Sequence, residues 1–565
     1  MKMTGAQALL ECLKREHVDV VFGYPGGAVL TLYDELYKAK FPHILTGHEQ
    51  GAVHAADGYA RATGKVGVCF ATSGPGVCNM VTGIATANMD SIPLVIISGQ
   101  VATALIGRDS FQEADISGIT TPITKHNYLI KDVKELPRVL KEAFFIAKTG
   151  RPGPVLVDIA KDVFDTEFFY TYPEEVQLRG YTGHYEGQVF DLDKAVAALE
   201  EARRPLFLTG GGVIAANVSP LLRQIVDVLQ VPVITTLMGK GAVDDLYPYH
   251  LGMVGMHGSY AANMAVTECD LLVALGARFD DRVTGVVANF APQAQIIHLD
   301  IDKVEINKII HAHISVNGDL RWSLPLLLKK ITASAVPFVN QFATWREHVT
   351  QRHIQHPFQT RQVPHTISPQ KLFEEVRKRV PDDTIAVTDV GQHQMWTAQF
   401  FNLSIPRTFL SSGGLGTMGY GLPAAMGAKI GCPRQMVVLF TGDGSIMMNC
   451  QEFMTLTKYG IDIKVIVLHN NVLGMVNQWQ RMFYKGHYSA SILADNPDIT
   501  KVSASMGVSG WKVSELEELI PTLEEFLIAE GAGVLNVRIP EDENVYPMVP
   551  GGKRLDQMVW EGKTV

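Results

Sequence analysis

The 565-residue sequence contains few cysteines, and their spacing excludes two common kinds of site. Its six cysteines are scattered, and no two of them form a CxxC pair. The pattern therefore indicates neither a zinc site nor a disulfide framework. It is typical of reduced, mostly buried thiols in a cytoplasmic protein.

The sequence also lacks an excess of positive charge and a long apolar run. Its net charge is −9 without a basic cluster, which argues against nucleic acid as a partner. No apolar run reaches the roughly 18 residues of a membrane-spanning helix. The first residues, Met1 to Gly5, have neither a signal-peptide core nor the composition of a transit peptide. We expect a soluble cytoplasmic protein that binds neither membranes nor nucleic acids.

Apolar residues make up 47% of the chain, which is sufficient for a core in each of several domains. Three blocks alternate apolar, strand-like runs with helical patterns, as parallel sheets with crossover helices do. The predicted fold class is therefore α/β, with three doubly wound parallel-sheet domains. We place these domains at 1–180, 190–335 and 366–545, followed by a C-terminal tail at 546–565.

Two stretches between these blocks have the composition of linkers. One is polar and rich in tyrosine, from Tyr170 to Gln188, and the other is rich in His, Gln and Pro, from His348 to His365. The irregular spacing of His348, His353 and His356 beside a proline favours a solvated linker over a metal cluster.

Polar turns follow two apolar runs in the third block. Thr441–Ser445 (TGDGS) follows the run Met436–Phe440, and His469-Asn470-Asn471 follows the run Lys464–Leu468. In an open parallel sheet, ligands bind at the carboxyl ends of the strands. Carboxylate, amide and main-chain oxygens suit a Mg²⁺ ion that carries a diphosphate. The spacing of the two turns resembles the thiamine-diphosphate signature, in which Asn-Asn follows Gly-Asp-Gly at a similar distance.

The first block contains an acid near a predicted helix start. A strand runs into the glycine turn Gly23–Gly27, and Glu49 precedes an Ala- and Gly-rich helical pattern that extends to Ala62. A carboxyl group desolvated among small apolar residues has a raised pKa and can donate a proton at neutral pH. The alternative is an acid that faces the helix dipole. The residues alone leave both interpretations open.

Motifs along the whole chain resemble those of the catalytic subunits of acetohydroxyacid synthases, also called acetolactate synthases. They are the Glu49 context, Thr72–Gly76, Phe111–Glu113, Thr124–Asn127, Gly150–Pro154, Gly255–Gly258, Arg278–Gly285, Gly413–Gly419 and Leu473–Trp479. The runs Arg278–Gly285 and Leu473–Trp479 resemble this family rather than thiamine enzymes in general. One departure concerns the Asn-Asn pair, which falls on His469 and Asn470 when the chains are matched at Leu473.

The resemblance implies a carboligase with thiamine diphosphate, Mg²⁺ and FAD. Such an enzyme decarboxylates pyruvate and joins the two-carbon unit to pyruvate or 2-ketobutyrate, giving 2-acetolactate or 2-aceto-2-hydroxybutyrate in branched-chain amino acid biosynthesis. It implies a homodimer or homotetramer with a separate regulatory small subunit. The cofactor is expected between the first domain of one subunit and the third domain of another.

The resemblance also assigns residues to thiamine diphosphate and to catalysis. The Mg²⁺ ligands would be Asp443, Asn470 and the carbonyl of Val472. The thiamine diphosphate contacts would be Glu49, Gly391, Gln392, His393, Gly416, Met418, Gly444, Ser445, Gly474 and Met475. Catalysis would involve Glu49, Phe111, Gln112, Met256, Arg282 and Trp479. Met418 would lie beneath the bent cofactor, although an ordinary core methionine is the alternative.

The second block carries a weaker, dinucleotide-like signal. The strand and glycine turn at Leu206–Gly212 suit the approach of a phosphate or a ribose, and acids follow the strand Ile296–Leu299. The resemblance assigns to FAD the residues Arg151, Gly210, Gly211, Gly212, Thr236, Leu237, Met238, His257, Gly276, Arg278, Asp281, Arg282, Asp300, Ile301, Asp302, Gly318 and Asp319. It further implies that the flavin has no net redox part in the main reaction.

Alternatives remain open at two residues and for the function. Arg282 could clamp the carboxylate of a second 2-ketoacid or form a surface ion pair with Asp280 or Asp281. Trp479 could set the acceptor preference or serve as a core or lid residue. The alternative functions are an oxidoreductase of the pyruvate oxidase type, a glyoxylate carboligase, whose family has an aliphatic residue in place of Glu49, and a non-catalytic flavin-binding paralogue.

Overall fold

Three six-stranded sheets, parallel throughout, organise the chain. The computed structural model describes residues 1–183, 185–560 and 563–564. Consecutive residues of a strand belong to different hydrophobic clusters. Val68 and Phe70 pack on one face of the first sheet, and Cys69 packs on the other. Both faces are therefore buried, as the near-continuous apolar strands require. The predicted α/β class with three doubly wound sheets is confirmed, whereas the predicted domain limits stay a prediction.

The first sheet has, in spatial order, the strands His43–Leu45, Val21–Gly23, Gly67–Ala71, Leu94–Gln100, Pro154–Ala160 and His126–Ile130. Its helices are Gly5–Arg15, Leu30–Ala39, Glu49–Thr63, Pro75–Cys78, Val81–Asp90, Ile116–Thr120, Leu136–Lys148 and Lys161–Asp165. The strand Lys2–Thr4 pairs separately, in antiparallel fashion, with Glu167–Phe169.

The central sheet has the spatial order His250–Met253, Val233–Thr235, Pro205–Thr209, Leu271–Leu275, Gln295–Asp300 and Ile314–Asn317. Its helices are Val189–Glu201, Gly211–Ala215, Ser219–Leu229, Tyr260–Glu268, Asp281–Thr284, Leu320–Ala333, Phe338–Gln341 and Ala343–Gln355.

The third sheet has the order Phe409–Leu410, Ile385–Thr388, Val437–Gly442, Lys464–His469, Gly533–Arg538 and Ser509–Val513. Its helices are Pro369–Arg377, Gln392–Phe400, Gly421–Gly431, Glu452–Tyr459, Gly474–Phe483, Ile499–Ser505 and Leu516–Ile528. Short 3₁₀ turns lie at Thr103–Leu105, Thr121–Ile123, Val133–Glu135, Leu237–Gly239, Val287–Asn289 and Ile446–Met448.

The first and third domains share one hydrophobic core. The helix Glu49–Thr63 packs along the helix Gly421–Gly431. A Cβ at Gly58 would collide with the backbone of Ala424, and one at Gly427 would collide with the backbone of Ala55. Glycine is thus required where the two helix backbones approach most closely.

The linker interpretation of the histidine stretch is wrong for two of its residues. His348 and His353 lie on the helix Ala343–Gln355, and His348 pairs with Glu268 at 3.3 Å. Trp345 and Val349 bury one side of this helix, which the abundance of polar residues in the sequence obscured.

The C-terminal segment packs against the central domain. Val549, Leu555 and Met558 are buried in the hydrophobic cluster of the second domain. The strand Val559–Trp560 pairs with Lys563–Thr564, while residues 561, 562 and 565 of the predicted tail lie outside the described residues. No α-helix in the described part of the chain has the length and apolar character that a bilayer crossing requires.

Candidate active site

A small cavity of about 60 Å³ lies at the carboxyl edge of the third sheet. The strands Val437–Gly442 and Lys464–His469, which are hydrogen-bonded neighbours, both end there. The lining residues include Gly391, Gln392, His393, Met418, Asp443, Gly444, Ser445, Asn470, Val472, Gly474 and Met475. The structure thus brings together the residues predicted for Mg²⁺ and most of those predicted for thiamine diphosphate.

The two polar turns interlock in this cavity. One carboxylate oxygen of Asp443 accepts a hydrogen bond from the N–H of Asn471 at 2.8 Å. Asn470 is buried. Its side-chain amide nitrogen donates to the side-chain oxygen of Gln392 at 3.3 Å, and its side-chain oxygen accepts from the main-chain N–H of Val472 at 3.3 Å. Asn471 adopts a left-handed backbone with φ of 60°, which asparagine tolerates and which turns the chain back toward Asp443.

Asp443 is a buried carboxyl group without a strong cationic partner. Burial raises its pKa, whereas His469 lowers it. Among the described residues its only ion-pair partner is His469, whose Nε2 lies 3.7 Å from Oδ2. A buried carboxylate beside an amide oxygen and a main-chain carbonyl fits a hard divalent cation, since such a cation would supply the missing charge.

His393 supplies a second unsatisfied polar group. It is buried in the first turn of the helix Gln392–Phe400, burial lowers its pKa to about 3, and its Nε2 has no hydrogen-bond partner. Gly391, with φ of 151°, starts this helix, and a Cβ there would lie 2.9 Å from the imidazole. A neutral ring with a free nitrogen in a polar cavity suits a hydrogen bond to a bound ligand.

A much larger cavity of about 960 Å³ adjoins the first one. Val390, Gly391, Met418, Met475 and Val476 line both cavities. Its other lining residues include Thr236, Leu237, Met238, Met256, His257, Arg278, Asp281, Arg282, Gly416 and Trp479. Predicted flavin, thiamine and substrate residues therefore meet in one connected space.

Arg282 and Trp479 reach this space from different domains. Arg282 is exposed, its Nη1 lies 3.5 Å from the sulfur of Met256, and its Nε lies 3.8 Å from Asp281. Trp479 is half-buried on the helix Gly474–Phe483, and its indole N–H is buried without a hydrogen-bond partner. The geometry is compatible with both roles considered for Arg282, an ion pair with Asp281 and the binding of a substrate carboxylate, because the guanidinium faces both the acid and the cavity.

The carboxyl edge of the central sheet carries the remaining predicted flavin residues. Gly210, Thr236, Gly276 and Gly318 each directly follow one of its strands. Gly276 has φ of 56°, and a Cβ there would lie 2.7 Å from the Cα of Gly212. The two glycine turns therefore pack backbone to backbone, which leaves the strand ends accessible to a ligand.

Acids and one arginine continue this edge. Asp300 accepts a hydrogen bond from the N–H of Asp302 at 2.8 Å. Arg151, from the first domain, donates to Asp302 at 3.2 Å and to Glu305 at 2.6 Å. Asp319 caps the helix Leu320–Ala333. Arg151 thus ties the first domain to the acids at the strand end.

His257 is a second unsatisfied group of the larger cavity, besides the indole N–H of Trp479. It is buried, and burial together with Arg282 lowers its pKa to about 4. Its Nδ1 has no hydrogen-bond partner. A cavity of this size, with an unpartnered imidazole nitrogen, fits a ligand as large as a dinucleotide.

Three predicted catalytic residues of the first domain lie elsewhere. Glu49 is half-buried at the start of its helix and accepts a hydrogen bond from the Asn79 amide at 3.0 Å. Phe111 is 88% exposed, and Gln112 beside it has φ of 60°. None of the three lines either cavity of the described chain.

Sequence reasoning missed Asp389. This buried carboxyl group accepts hydrogen bonds from the N–H groups of Val390 and Gly419, both at 2.9 Å, and burial raises its pKa to about 6. It thus fixes the backbone just before Gly391 and just after Met418. Its position directly after the strand Ile385–Thr388, two residues before a glycine, was the available signal.

Comparisons with known proteins identify the family. Three family profiles match: "Thiamine pyrophosphate enzyme, N-terminal TPP binding domain" over residues 3–119, the central domain over 192–327, and the C-terminal TPP binding domain over 389–537. The chain is 48% identical to the acetolactate synthase large subunit of Parasynechococcus marenigrum, with 99% of this chain and 91% of the relative covered. The chain belongs to the acetolactate synthase large-subunit family.

Other large subunits of the family are similarly close. The chain is 45% identical to the isozyme 2 large subunit of Escherichia coli strain K12, with 99% of both chains covered. It is 45% identical to the large subunit of Corynebacterium glutamicum, with 98% of this chain and 89% of the relative covered. The family membership predicted from the sequence is confirmed. The two matched terminal domains are thiamine diphosphate-binding domains.

Proposed function

We propose that this chain is the catalytic subunit of a thiamine-diphosphate carboligase. It decarboxylates pyruvate and joins the two-carbon unit to pyruvate or 2-ketobutyrate, giving 2-acetolactate or 2-aceto-2-hydroxybutyrate for branched-chain amino acid biosynthesis. The observation that carries the proposal is the junction of two cavities. The Asp443–Asn470 turns open into a space that also contains Arg282 and Trp479.

The residues of the small cavity fit a Mg²⁺ ion and a diphosphate. Asp443, Asn470 and the carbonyl of Val472 would hold the metal, because they offer hard oxygens around an uncompensated buried charge. The N–H groups of Gly444 and Ser445 and the free nitrogen of His393 would bind phosphate oxygens. When bound, thiamine diphosphate supplies the nucleophilic carbon and the electron sink for loss of CO₂.

Glu49 would exchange a proton with the pyrimidine ring nitrogen of the cofactor. A side chain that is half-buried on a helix start can hold a proton at a fixed place. Glu49, Phe111 and Gln112 lie outside both cavities of their own chain, so we assign them to the cavity of a second copy. At least a homodimer is then required for one complete site.

Arg282 and Trp479 would select the second 2-ketoacid. The guanidinium can bind a planar carboxylate through two hydrogen bonds. The indole and Met256 give the same cavity an apolar wall, which suits the alkyl group of the acceptor. Binding of the carboxylate by Arg282 would aim the keto carbon at the reacting centre and would help to exclude water.

The central domain would hold FAD in an accessory role. Gly210 to Gly212, Gly276 and Asp300 provide a strand-edge cradle, and the unpartnered nitrogen of His257 offers a hydrogen bond inside the cavity. The close relatives are named large subunits. We therefore propose a separate regulatory small subunit as partner.

One assay tests the activity. The purified protein receives pyruvate, thiamine diphosphate, Mg²⁺ and FAD, and both acetolactate and oxygen are measured. We expect acetolactate without oxygen uptake. Oxygen consumption matched to pyruvate loss would instead indicate the oxidase alternative, and an absence of both would refute the proposal.

A further inference from the structure

The turn that precedes Glu49 is held by a side chain from the third domain. Both carboxylate oxygens of Glu452 lie 3.0 Å from the N–H of Gly47. The N–H of His48 also donates to this carboxylate. Glu452 begins the helix Glu452–Tyr459, more than 400 residues away along the chain. The contact therefore joins two domains at the residue where the helix of Glu49 starts.

The Glu452 carboxylate, like that of Asp389, is buried without a cationic partner in the described part of the chain. It is fully buried and, among the described residues, forms no ion pair with a Lys, Arg or His. Its remaining partner is the hydroxyl of Thr455, which donates at 2.7 Å. An unpaired buried charge is costly, and an apolar residue of similar volume would serve packing better. What the charge provides is a fixed acceptor for two successive N–H groups at a helix start.

The same segment also holds the wall of the cofactor cavity. Asn449 donates to the carbonyl of Gly419 at 2.7 Å, next to Met418. Gln451 donates to Asn449 at 2.9 Å, and its side chain packs on Gly47. One short stretch after the Asp443 turn therefore contacts both the Met418 loop and the turn of Glu49.

We propose that Glu452 is a positioning residue that sets the place of the Glu49 carboxyl group. It acts by fixing the Gly47–His48 backbone, and it does not touch the reacting atoms. The inference rests on the proposed function, in which Glu49 handles a proton. A misplacement of about 1 Å can lower a rate by about 100-fold, so loss of this support should reduce turnover strongly.

A second variant can displace the carboxylate without altering it. A Cβ at Gly51 would lie well inside the van der Waals distance of Glu452 Oε1, and its three nearest neighbours all belong to Glu452. Gly51→Ala should therefore push the Glu452 side chain away, while alanine itself favours the helix. Any loss in this variant comes from the displaced carboxylate rather than from a weakened helix.

The experiment compares Glu452→Met, Glu452→Gln and Gly51→Ala with the wild-type holoenzyme. Methionine keeps the length but accepts no N–H group, whereas glutamine keeps one acceptor. We expect kcat to fall about 10- to 100-fold in Glu452→Met and less in Glu452→Gln. The KM for pyruvate and the Kd for thiamine diphosphate should stay within about twofold. Gly51→Ala should resemble Glu452→Met.

A double variant and amide exchange separate positioning from a general loss of structure. If Glu452 acts through Glu49, Glu49→Gln/Glu452→Met should turn over no more slowly than Glu49→Gln alone. Hydrogen–deuterium exchange at Gly47 and His48 should accelerate in Glu452→Met, whereas the helix Gly421–Gly431 should keep its protection. The control is Glu375→Gln, which removes a buried carboxylate of the same domain that pairs with Lys371, Lys378 and Arg379, and which should retain its kcat.

Three results would overturn the proposal: an unchanged kcat in folded Glu452→Met, losses that add to those of Glu49→Gln, or a Kd for thiamine diphosphate that rises in step with the fall in kcat. A wild-type protein that forms no acetolactate would refute the proposed function instead. The exchange rates at Gly47 and His48 would still decide whether Glu452 holds the turn, because they do not depend on turnover.

Discussion

At the scale of single residues, the site is defined by polar groups that the folded chain leaves unsatisfied. Asp443 is buried without a strong cation, and His393 and His257 each have a nitrogen without a partner. Buried polar groups are normally paired in native proteins. Under the proposed function, the three residues would bind the metal, the diphosphate and the flavin, respectively.

Replacement of Asp443 by alanine should remove one metal ligand and leave the diphosphate charge uncompensated. We expect activity to be lost and the affinity for thiamine diphosphate, measured by calorimetry with Mg²⁺ present, to fall at least tenfold. A higher Mg²⁺ concentration should restore the affinity for thiamine diphosphate only in part. Tight, metal-dependent cofactor binding by the variant would place the metal elsewhere.

Glu49→Gln should keep the helix start and cofactor binding, because the amide occupies the same volume. It cannot exchange the proton, and such steps contribute roughly 10²- to 10⁴-fold. We expect kcat to fall within that range while the calorimetric Kd for thiamine diphosphate is retained. Turnover near that of the wild type would remove Glu49 from the proton transfer.

Trp479→Leu should weaken the distinction between pyruvate and 2-ketobutyrate as acceptors. The two differ by one methylene, which an apolar pocket discriminates by about 1–3 kcal/mol. The measurement is the ratio of acetohydroxybutyrate to acetolactate formed from mixed substrates. We expect a lower ratio with retained pyruvate consumption. An unchanged ratio in an active variant would show that the indole has only a structural role.

Sequence reasoning located those residues whose signal is local. Asp443 and Asn470 follow apolar runs directly, so both the strand and its polar end were readable, and the runs match the strands Val437–Gly442 and Lys464–His469 to within two residues. Asp389 and Glu452 were missed, because the N–H groups of Gly419 and Gly47 that donate to them come close only through tertiary folding. A carboxylate that binds distant main chain leaves no spacing pattern in the sequence.

At the scale of elements, the decisive contact is the close crossing of two small-residue helices. Glu49–Thr63 is rich in alanine and glycine, and Gly421–Gly431 presents Ala424, Gly427 and Ala428. Small side chains let the helix backbones approach, and the shared core extends from there into both sheets. The sequence predicted the first of these helices, but it did not show that the two pair across domains.

Gly58→Ala should therefore destabilise the protein, although alanine is the better helix former. The added Cβ would overlap the backbone of Ala424, which cannot move without shifting its helix. Overpacking of this kind typically costs about 1–3 kcal/mol. Urea unfolding should show a lower midpoint than for Gly551→Ala, where a Cβ meets open space. Equal midpoints for the two variants would contradict the tight crossing.

At the scale of the whole molecule, the residues that we propose for one active site form two groups that do not meet within the described chain. The turns of Asp443 and Asn470 and the side chain of Arg282 line connected cavities, whereas Glu49 and Phe111 lie outside them. A second copy can supply the missing half by the symmetry of a dimer. The 88% exposure of Phe111 is then expected, since an interface would cover it.

Mixing Glu49→Gln chains with Asp443→Ala chains should restore activity. In a mixed dimer, one site receives both altered residues, and the other receives an intact Glu49 and an intact Asp443. Recovery should approach a quarter of the wild-type rate at equal mixing, since about half of the chains pair as mixed dimers and each has one intact site. Subunit exchange verified by mass spectrometry without any recovery would contradict the shared site.

The core shared by the first and third domains also constrains how the protein is made. Ala52, Ala55 and Ala56 can pack in this core only after residues such as Ala424 and Met426 have been synthesised, which happens much later. At about 5–20 residues per second, that interval is on the order of 20–70 seconds. Throughout it, the nascent chain exposes an apolar helix face whose cover does not yet exist. We therefore expect the amino-terminal domain to complete its core only after the third domain has been synthesised.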